Sequence, residues 1–262
     1  MGTPSAALVD IGCADSPLFC LPGAGPSPSP STLLKEVLLQ HAENEILISL
    51  LQGTMHTIHE ALDQYGPHGV AVSFNGGKDC TILLFLYMAA LEDYHQSHPD
   101  VSQRPVKVLY ITSDDPFPAI DLFVDVFSDL LGVDLMKILG QMKPALERFL
   151  DSNKTIRAVL IGTRRTDPHA DNLTRFDATD KEWPAMMRVH PILDWGYKDI
   201  WAAIIALRIP YCGLYKHGYT SLGSVNDTLP NPLLKCSSVP GGYMHAVCLE
   251  DGLKERCGRE LK

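Results

Sequence analysis

The stretch VAVSFNGGKDCTILLFLYMAAL, residues 70–91, decides the fold of this chain. Its first part, residues 70–74, has the apolar and β-branched character of a short buried strand. Gly76 and Gly77 then form a turn, and the apolar run 81–91 that follows is predicted as a buried helix. A strand, a Gly-rich turn and a helix in this order begin a βαβ unit, from which parallel sheets are built.

Further strands and helices alternate along the chain. The helical pattern after the second strand places its apolar residues on one face and is closed by Gly132. Such alternation with short connections predicts an α/β fold, a Rossmann-like open parallel sheet with helices on both faces. The chain after Pro210 is rich in Gly, Pro and Ser and is predicted as an irregular C-terminal tail that wraps the core. The other predicted strands are residues 106–112, 135–139, 157–161 and 188–192, and the predicted helices include residues 120–131, 143–150 and 197–206.

The composition excludes several classes of function. The chain has 262 residues, 45% of them hydrophobic, which is enough for one domain with a sizeable core. Lys and Arg number 22 against 31 Asp and Glu, and a net charge of −9 has the wrong sign for a nucleic-acid partner. No run approaches the roughly 20 apolar residues of a membrane helix. Seven Cys without C-x-x-C spacing indicate reduced thiols rather than a zinc site or a disulfide framework.

The first 30 residues differ from the rest of the chain. Residues 1–30 contain no Lys or Arg and end in a Pro-rich run, which predicts a disordered leader ahead of a catalytic domain at residues 31–262. Ser31 is the expected cap of a helical lead-in that runs to about Tyr65. The leader lacks the cationic start of a secretory signal and the Arg content of a mitochondrial presequence, so a cytoplasmic location is expected.

In an open parallel sheet, ligands bind beyond the carboxyl ends of the strands, and the first such turn has the residues of a phosphate cradle. Gly76 and Gly77 let the backbone approach a ligand, and the following helix directs its free amides at it. Lys78 adds positive charge, and Asp79 is a candidate ligand for Mg²⁺. A tight turn with Asp79 as a helix cap is the alternative. The Walker A pattern is absent, so the usual γ-phosphoryl chemistry is not expected.

The next turns supply further candidates. The strand end at residues 110–112 would lie beside the cradle, where its backbone could read an adenine edge, while Asp115 or Ser113 would cap the following helix. Arg164 and Arg165, at the end of the fourth strand, suit an anionic ligand, although a solvated charge pair is the alternative. Asp167 is either their salt-bridge partner or a second acid near the metal.

Two of the three tryptophans stand in polar, turn-like stretches. Trp183 precedes a proline, and Trp195 lies between Asp194 and a glycine. An aromatic ligand could stack on either ring. Trp201, inside an apolar helix, is predicted to belong to the core.

Motifs spread over most of the chain match one known family. They are FNGGKDC at 74–80, GTRRTDP at 162–168, WP at 183–184, MR at 187–188, DW at 194–195 and YTSLG at 219–223. Together they resemble the eukaryotic FAD synthases. The Gly-Gly turn alone is similar to the wider superfamily of ATP pyrophosphatases and phosphoadenosine phosphosulfate reductases, whose fold is adenine nucleotide alpha-hydrolase-like.

The resemblance implies an FMN adenylyltransferase that converts MgATP and FMN to FAD and pyrophosphate, with client apo-flavoproteins as partners. It implies Mg²⁺ as cofactor, with Asp79 as the metal ligand. The implied catalytic residues are Asn75, Asp79, Asp167, Arg256 and Arg259. The implied ATP-binding residues are Phe74, Asn75, Gly76, Gly77, Lys78, Asp79 and Ile111. The candidate flavin-binding residues are Gly162, Arg164, Arg165, Trp183, Met187, Arg188 and Trp195.

The residue inventory is consistent with this chemistry. The phosphate of FMN has a second pKa of about 6, so it is a ready nucleophile and needs no general base. Two alternatives remain. A sulfonucleotide reductase of the same fold would use a C-terminal thiol, for which Cys257 is the candidate, and a regulatory module would bind nucleotide with weakened catalysis.

Overall fold

The computed structural model describes residues 11–12, 28–112 and 115–259. Its six helices are α1 (Pro30–Gln40), α2 (Glu45–Tyr65), α3 (Lys78–Ser97), α4 (Pro118–Leu131), α5 (Met142–Ser152) and α6 (Tyr197–Ala206). Its strands are β1 (Ile11–Gly12), β2 (Val70–Ser73), β3 (Lys107–Thr112), β4 (Asp134–Leu139), β5 (Ala158–Leu160), β6 (Phe176–Ala178), β7 (Met187–Val189) and β8 (Tyr211–Cys212).

A six-stranded sheet in the order β4-β3-β2-β5-β7-β6 forms the centre of the fold. All neighbouring strands run parallel except β6, which pairs antiparallel with β7 at the edge. The predicted Rossmann-like parallel sheet is therefore confirmed, with one antiparallel edge strand that the pattern did not predict. β7 spans Met187–Val189 rather than 188–192, because the chain turns away at residues 190–193.

Both faces of the sheet are covered, as predicted, but unequally. Side chains of a strand alternate between faces, and in β2 the core on one side contains Val70 and Val72 while the other contains Ala71. The core on the first side also contains buried residues of α1–α4 and α6. The second face packs against α5, whose Ala145 and Phe149 are buried there.

The helix after the Gly-Gly turn starts earlier than the apolar pattern predicts. α3 begins at Lys78 rather than at residue 81, so Lys78, Asp79 and Cys80 form its first turn. Its N-cap is Gly77, with no side-chain cap. Asp79 is therefore not the capping residue that the alternative interpretation required.

The N-terminal prediction needs correction in two places. α1 begins at Pro30 and is capped by Ser29, while the hydroxyl of Ser31 donates to Asp93 Oδ1 at 2.7 Å. Within the predicted leader, β1 pairs antiparallel with β8, so the backbone at residues 11–12 is bound to the body of the protein. Residues 1–10 and 13–27 of that leader lie outside the described residues.

The segment after Pro210 wraps the core, as predicted. It contains two strand residues and four short 3₁₀ segments. Leu234, Ala246 and Leu249 are buried in the main core, and the Tyr197 hydroxyl donates to the carbonyl of Ala246 at 2.7 Å. Within the described ranges, no helix combines the length and apolar character needed to cross a membrane.

Candidate active site

Two adjoining cavities open at the carboxyl ends of β2, β3 and β5. The first has a volume of about 310 Å³ and lies between the Gly-Gly turn, the turn after β5 and the tail. The second has about 340 Å³ and lies between β3 and the tail. Asn75 and Leu222 line both. Of the residues predicted to bind or act, the first cavity is lined by Asn75, Gly77, Lys78, Asp79, Gly162, Asp167 and Arg256, and the second by Asn75 and Ile111.

Hydrogen bonds fix the orientation of the Asn75 side chain. Its Oδ1 accepts from the amide of Gly77 at 3.0 Å and from the thiol of Cys80 at 2.8 Å. Burial raises the pKa of Cys80 to about 12, so the thiol keeps the proton that it donates. Because both donors occupy Oδ1, the amide nitrogen of Asn75 is the end of the side chain left to donate to a ligand.

Two turns at the site need glycine, each for a different reason. Gly76 has φ +73° and packs against Ile120 and Val124 of α4, so a side chain there would be strained and crowded. Gly162, after β5, lies against the start of α3, and a Cβ on it would come within 3.0 Å of the Cys80 amide nitrogen. The turn after β5 can therefore touch the helix N-terminus, where unpaired amides favour anions.

Four charged side chains form a closed ring beneath the first cavity, which we call the charge ring: Lys78, Asp79, Arg164 and Glu255. Lys78 Nζ lies 3.1 Å from Asp79 Oδ2 and 2.5 Å from Glu255 Oε1. Arg164 closes the ring, with Nε 2.9 Å from Asp79 Oδ1 and Nη2 2.6 Å from Glu255 Oε2. Both cationic side chains are only 1% exposed. Each carboxylate bridges the same two cations, so the ring carries no net charge.

The ring explains why Arg164 remains charged while buried. Burial of Arg164 favours the neutral form, but the nearby carboxylates of Asp79 and Glu255 outweigh it and raise the pKa of the guanidinium above its usual value. Lys78 also lies over the ring of Tyr197, 5.0 Å from its centroid. Asp167 adjoins the charge ring, and its Oδ2 accepts from the amide of Arg164 at 2.8 Å.

The structure corrects the prediction that both arginines face a flavin phosphate. The guanidinium of Arg164 belongs to the charge ring and is not available to a ligand. Arg165 is about half exposed and donates to Asp194 Oδ1 at 2.8 Å, which is the solvated charge pair of the alternative interpretation. The physical reason for the difference is the set of partners: Arg164 is buried against two carboxylates, whereas Arg165 lies at the surface beside Asp194.

The other flavin candidates fall into two groups. Trp195 is 3% exposed and its indole nitrogen donates to Thr54 at 3.0 Å, so it is a core residue and the stacking prediction is wrong. Trp201 is buried in the core, as predicted. Trp183 is 38% exposed, and Met187 and Arg188 lie on β7, between β5 and the edge strand β6. Arg188 donates to the carbonyl of Ala178 at 3.1 Å, which ties it to β6.

The two tail arginines occupy different places. Arg256 is exposed, lines the first cavity and forms no ion pair within the described ranges. Arg259 donates to the carbonyl of Leu222 at 3.0 Å, and its Nη2 lies 3.3 Å from Asp227. Arg259 directly follows the 3₁₀ segment Gly252–Gly258, and its guanidinium is already bound by Leu222 and Asp227. Only Arg256 remains free to meet a ligand.

Other predicted positions are also settled by contacts. Phe74 is fully buried and packs on Phe127, with ring centroids 5.7 Å apart, so it supports the turn from below. The N-cap of α4 is Phe117, without a side-chain cap, and Asp115 instead accepts from Asn226 at 2.8 Å. Ser113, the other capping candidate, lies outside the described residues.

Two residues of the site were missed at the sequence level. Glu255 was assigned no role in the site from sequence, yet it closes the charge ring. The hydroxyl of Tyr215 accepts from the amide of Lys78 at 2.8 Å and so satisfies a free amide at the start of α3. Glu255 lies 177 residues from Lys78 and Tyr215 lies 137, and no local pattern predicts contacts at such separations.

The predicted metal ligand does not fit a direct metal site. Both oxygens of Asp79 are in contact with cations, Arg164 on one side and Lys78 on the other. Among the described residues, no group of three or more His, Cys, Asp or Glu side chains could hold a metal ion. A metal at this site would have to enter as the counter-ion of a phosphate ligand.

Comparison with known proteins supplies the family. Residues 141–230 match the model of the phosphoadenosine phosphosulfate reductase domain. A Schizosaccharomyces pombe protein described as a probable FAD synthase is 39% identical over 229 residues, 86% of each chain. The chain belongs to the eukaryotic FAD synthase family. The structure of Candida glabrata FMN adenylyltransferase superposes on 89% of this chain. The fold is that of the wider phosphoadenosine phosphosulfate reductase-like superfamily.

Further FAD synthase relatives include longer proteins and solved structures. A probable FAD synthase of Caenorhabditis elegans is 34% identical over 83% of this chain, but the match spans only 42% of that protein. Candida glabrata FMN adenylyltransferase in complex with FAD and inorganic pyrophosphate superposes with a TM-score of 0.81 at 26% identity, covering 89% of this chain and 97% of that one. In complex with FMN and the ATP analog AMPCPP, the same protein gives 0.74 at 26% identity, covering 94% and 97%.

Proposed function

We propose that the protein is an FMN adenylyltransferase, a nucleotidyltransferase that transfers AMP from MgATP to the phosphate of FMN and releases FAD and pyrophosphate. The observation that carries the proposal is the pair of adjoining cavities at the carboxyl edge of the sheet, joined at Asn75 and Leu222. Two joined cavities suit a reaction that must bring two nucleotides together at their phosphates. Membership of the FAD synthase family supports it.

The ATP side of the site follows from the strands and the helix N-terminus. The adenosine occupies the second cavity, along Tyr110 and Ile111 at the end of β3. The phosphates reach the first turn of α3, where the amides of Asp79 and Cys80 have no acceptor within the helix. Asn75, at the junction, directs its amide nitrogen at the α-phosphate. Gly76 and Gly77 keep the backbone close enough for these contacts.

The chemistry is a displacement at phosphorus. An oxygen of the FMN phosphate forms a bond to the α-phosphorus of ATP, the bond from that phosphorus to the bridging oxygen of the β-phosphate breaks, and pyrophosphate leaves with that electron pair. Because the FMN phosphate is already ionised near pH 7, the protein supplies position and charge rather than a base. Arg256, exposed at the cavity, is the cation placed to stabilise the leaving pyrophosphate.

The acids have supporting roles in this proposal. Asp79 and Asp167 line the first cavity, and Asp79 is held by two cations rather than by a metal. Mg²⁺ therefore enters as part of the MgATP substrate, where it offsets phosphate charge. Arg259 acts by holding Leu222, the tail residue that lines both cavities.

The flavin face of the site is assigned to the turn after β5 and the neighbouring sheet edge. Gly162 approaches the phosphates through its backbone at the first cavity. Trp183, Met187 and Arg188 remain the candidates for the isoalloxazine ring. Arg164 and Trp195 are not carried forward, because both are buried and bound to the protein itself.

No observation favours the two alternative functions. Cys257, the nucleophile that a sulfonucleotide reductase would need, is exposed and does not line the first cavity. The five cysteines in the described ranges are free. A regulatory module would retain ATP binding without forming FAD, and this outcome is separated by experiment.

The test is incubation of the purified protein with FMN and MgATP, with each substrate omitted in turn, followed by chromatography for FAD and an assay for pyrophosphate. Equimolar FAD and pyrophosphate are expected, and Cys257→Ser should retain activity within about twofold because phosphorus chemistry needs no thiolate. ATP binding without FAD would indicate the regulatory module. Loss of activity in a folded Cys257→Ser variant would favour the reductase. A cytoplasmic location and delivery of FAD to apo-flavoproteins remain predictions.

A further inference from the structure

Glu255 connects three parts of the chain beneath the first cavity. Its carboxylate is 10% exposed and accepts from Lys78 in the first turn of α3 and from Arg164 after β5. Glu255 itself belongs to the tail, in the 3₁₀ segment Gly252–Gly258. No other side chain among the described residues joins the tail to both of these turns.

The backbone around Glu255 is held as firmly as its side chain. The hydroxyl of Thr220 donates to the carbonyl of Glu255 at 2.6 Å. The amide nitrogen of Asn231 donates both to the carbonyl of Lys254, at 2.9 Å, and to the hydroxyl oxygen of Thr220, at 3.0 Å. The tail segment is thus tied down at Lys254 and Glu255, one residue before Arg256.

The side chain of Arg256 has no such contact among the described residues. It is exposed, lines the cavity and forms no ion pair within the described part of the chain. The position of its guanidinium at the cavity therefore depends on the anchored backbone on either side. Glu255 holds the preceding side, and on the following side the Arg259 amide donates to the Arg256 carbonyl at 2.9 Å. The same carboxylate also balances Lys78 and Arg164, the two cations that hold Asp79.

On the basis of the proposed function, we infer that Glu255 is a positioning residue for adenylyl transfer: it locks Arg256 of the tail to the phosphate-binding turn at Asp79. Its carboxylate lines the first cavity but is bound on both oxygens by Lys78 and Arg164. It acts by setting the distance between the tail cation and the first turn of α3. Displacement of a catalytic group by about 1 Å can cost about 100-fold in rate, so this indirect role is large enough to measure.

The test is a double-mutant cycle between Glu255→Gln and Arg256→Ala, measured in the full chain by kcat and KM for ATP and for FMN. Each single variant is expected to lower kcat/KM for ATP by about 10- to 100-fold. If Glu255 acts through Arg256, kcat/KM of the double variant should be no lower than that of the less active single variant. Glu250→Gln removes an exposed acid from the same tail and is the matched control, with activity unchanged.

A merely structural role gives a different result. Glu255→Gln would then lower the melting temperature but keep the wild-type kcat/KM well below that temperature, or its loss would multiply with that of Arg256→Ala. Either result overturns the inference. If the Gln variant does not fold, Glu255→Asp, which keeps the charge and shortens the side chain, carries the same cycle.

Failure of the proposed function would be visible separately. A wild-type protein that binds ATP without forming FAD contradicts adenylyl transfer. The cycle can then be scored by the rise in melting temperature on addition of ATP, since Arg256 lies at the cavity in either case. Coupling between the two variants in that assay would still support the position assigned to Glu255, and its absence would refute it.

Discussion

The charge ring and the sheet edge formed by β6 and β7 differ in whether their charged side chains are buried or exposed to solvent. The ring buries four charged side chains and satisfies them with one another. Around the edge, charges stay in solvent, as in the pair of Arg165 and Asp194 in the adjoining turns, and burial lowers the pKa of His190, which keeps it neutral. Buried charge is therefore concentrated where the phosphates of two substrates would meet.

The largest expected effect is a difference in stability between alanine variants of two adjacent arginines, Arg164 and Arg165. Arg164→Ala leaves Asp79 and Glu255 with one cation fewer in a buried site and should lower the free energy of unfolding by about 3–5 kcal/mol. Arg165→Ala breaks only a half-exposed pair and should cost less than about 1 kcal/mol. Urea denaturation of both variants measures the difference. Equal decreases in the free energy of unfolding would show that the ion pairs of the ring stabilise the protein no more than the exposed pair does.

The next effect concerns catalysis at the ring. Asp79→Asn removes the carboxylate that holds Lys78 and Arg164 on the cavity side, and we expect FAD formation to fall by about 100-fold or more. Asp194→Asn, at the edge, is the control and should keep normal activity. The comparison is made at a temperature where circular dichroism shows both variants folded. A destabilised Asp79→Asn variant with wild-type turnover would assign the ring to stability alone.

The third effect is a pH dependence from the edge. Burial lowers the pKa of His190 to about 4, against the opposing influence of Asp177, whose carboxylate lies 3.9 Å away. Between pH 6.5 and 4 the unfolded chain therefore binds a proton that the native protein does not. The free energy of unfolding should fall by on the order of 2 kcal/mol as the pH drops through this range.

His190→Gln tests this explanation because glutamine cannot titrate. The stability difference between wild type and variant should be constant above pH 7 and should change only below pH 6.5. Parallel stability curves for the two proteins over the whole range would mean that another group is responsible.

The smallest expected effect is on flavin affinity at the edge. Trp183→Ala should raise KM for FMN by up to about tenfold, the value of one aromatic stacking contact, and leave kcat unchanged. Trp183→Phe should retain most of the affinity. An unchanged KM for FMN in the alanine variant would remove the edge from the flavin site.

The fold could be predicted from sequence because its signals are local. The strand at residues 70–74, the Gly-Gly turn and Gly132 each encode their structure within a few residues, and the structure places elements there. β6 escaped prediction because Phe176–Ala178 has only three residues, too few to show an alternating pattern, and lies antiparallel at an edge. Trp195 was misassigned because its polar neighbours concealed a buried turn.

The candidate site was predictable as a set of turns but not as a set of contacts. The positions of Asn75, Asp79, Asp167 and Ile111 at strand ends follow from the rule for parallel sheets. The sequence could not show that Lys78 and Arg164 meet carboxylates rather than phosphates, because the partner Glu255 comes from the tail. Sequence alone also could not distinguish Arg164 from Arg165, which differ only in direction.

The contact of Lys78 with Glu255 also has a consequence for how the protein is made. It joins residues 177 positions apart, whereas the last strand of the central sheet ends at residue 189. During synthesis, the sheet can therefore assemble while the chain that completes the site is still absent. Closing so long a loop is slow compared with local contacts, so the nucleotide site should be among the last parts of the molecule to mature.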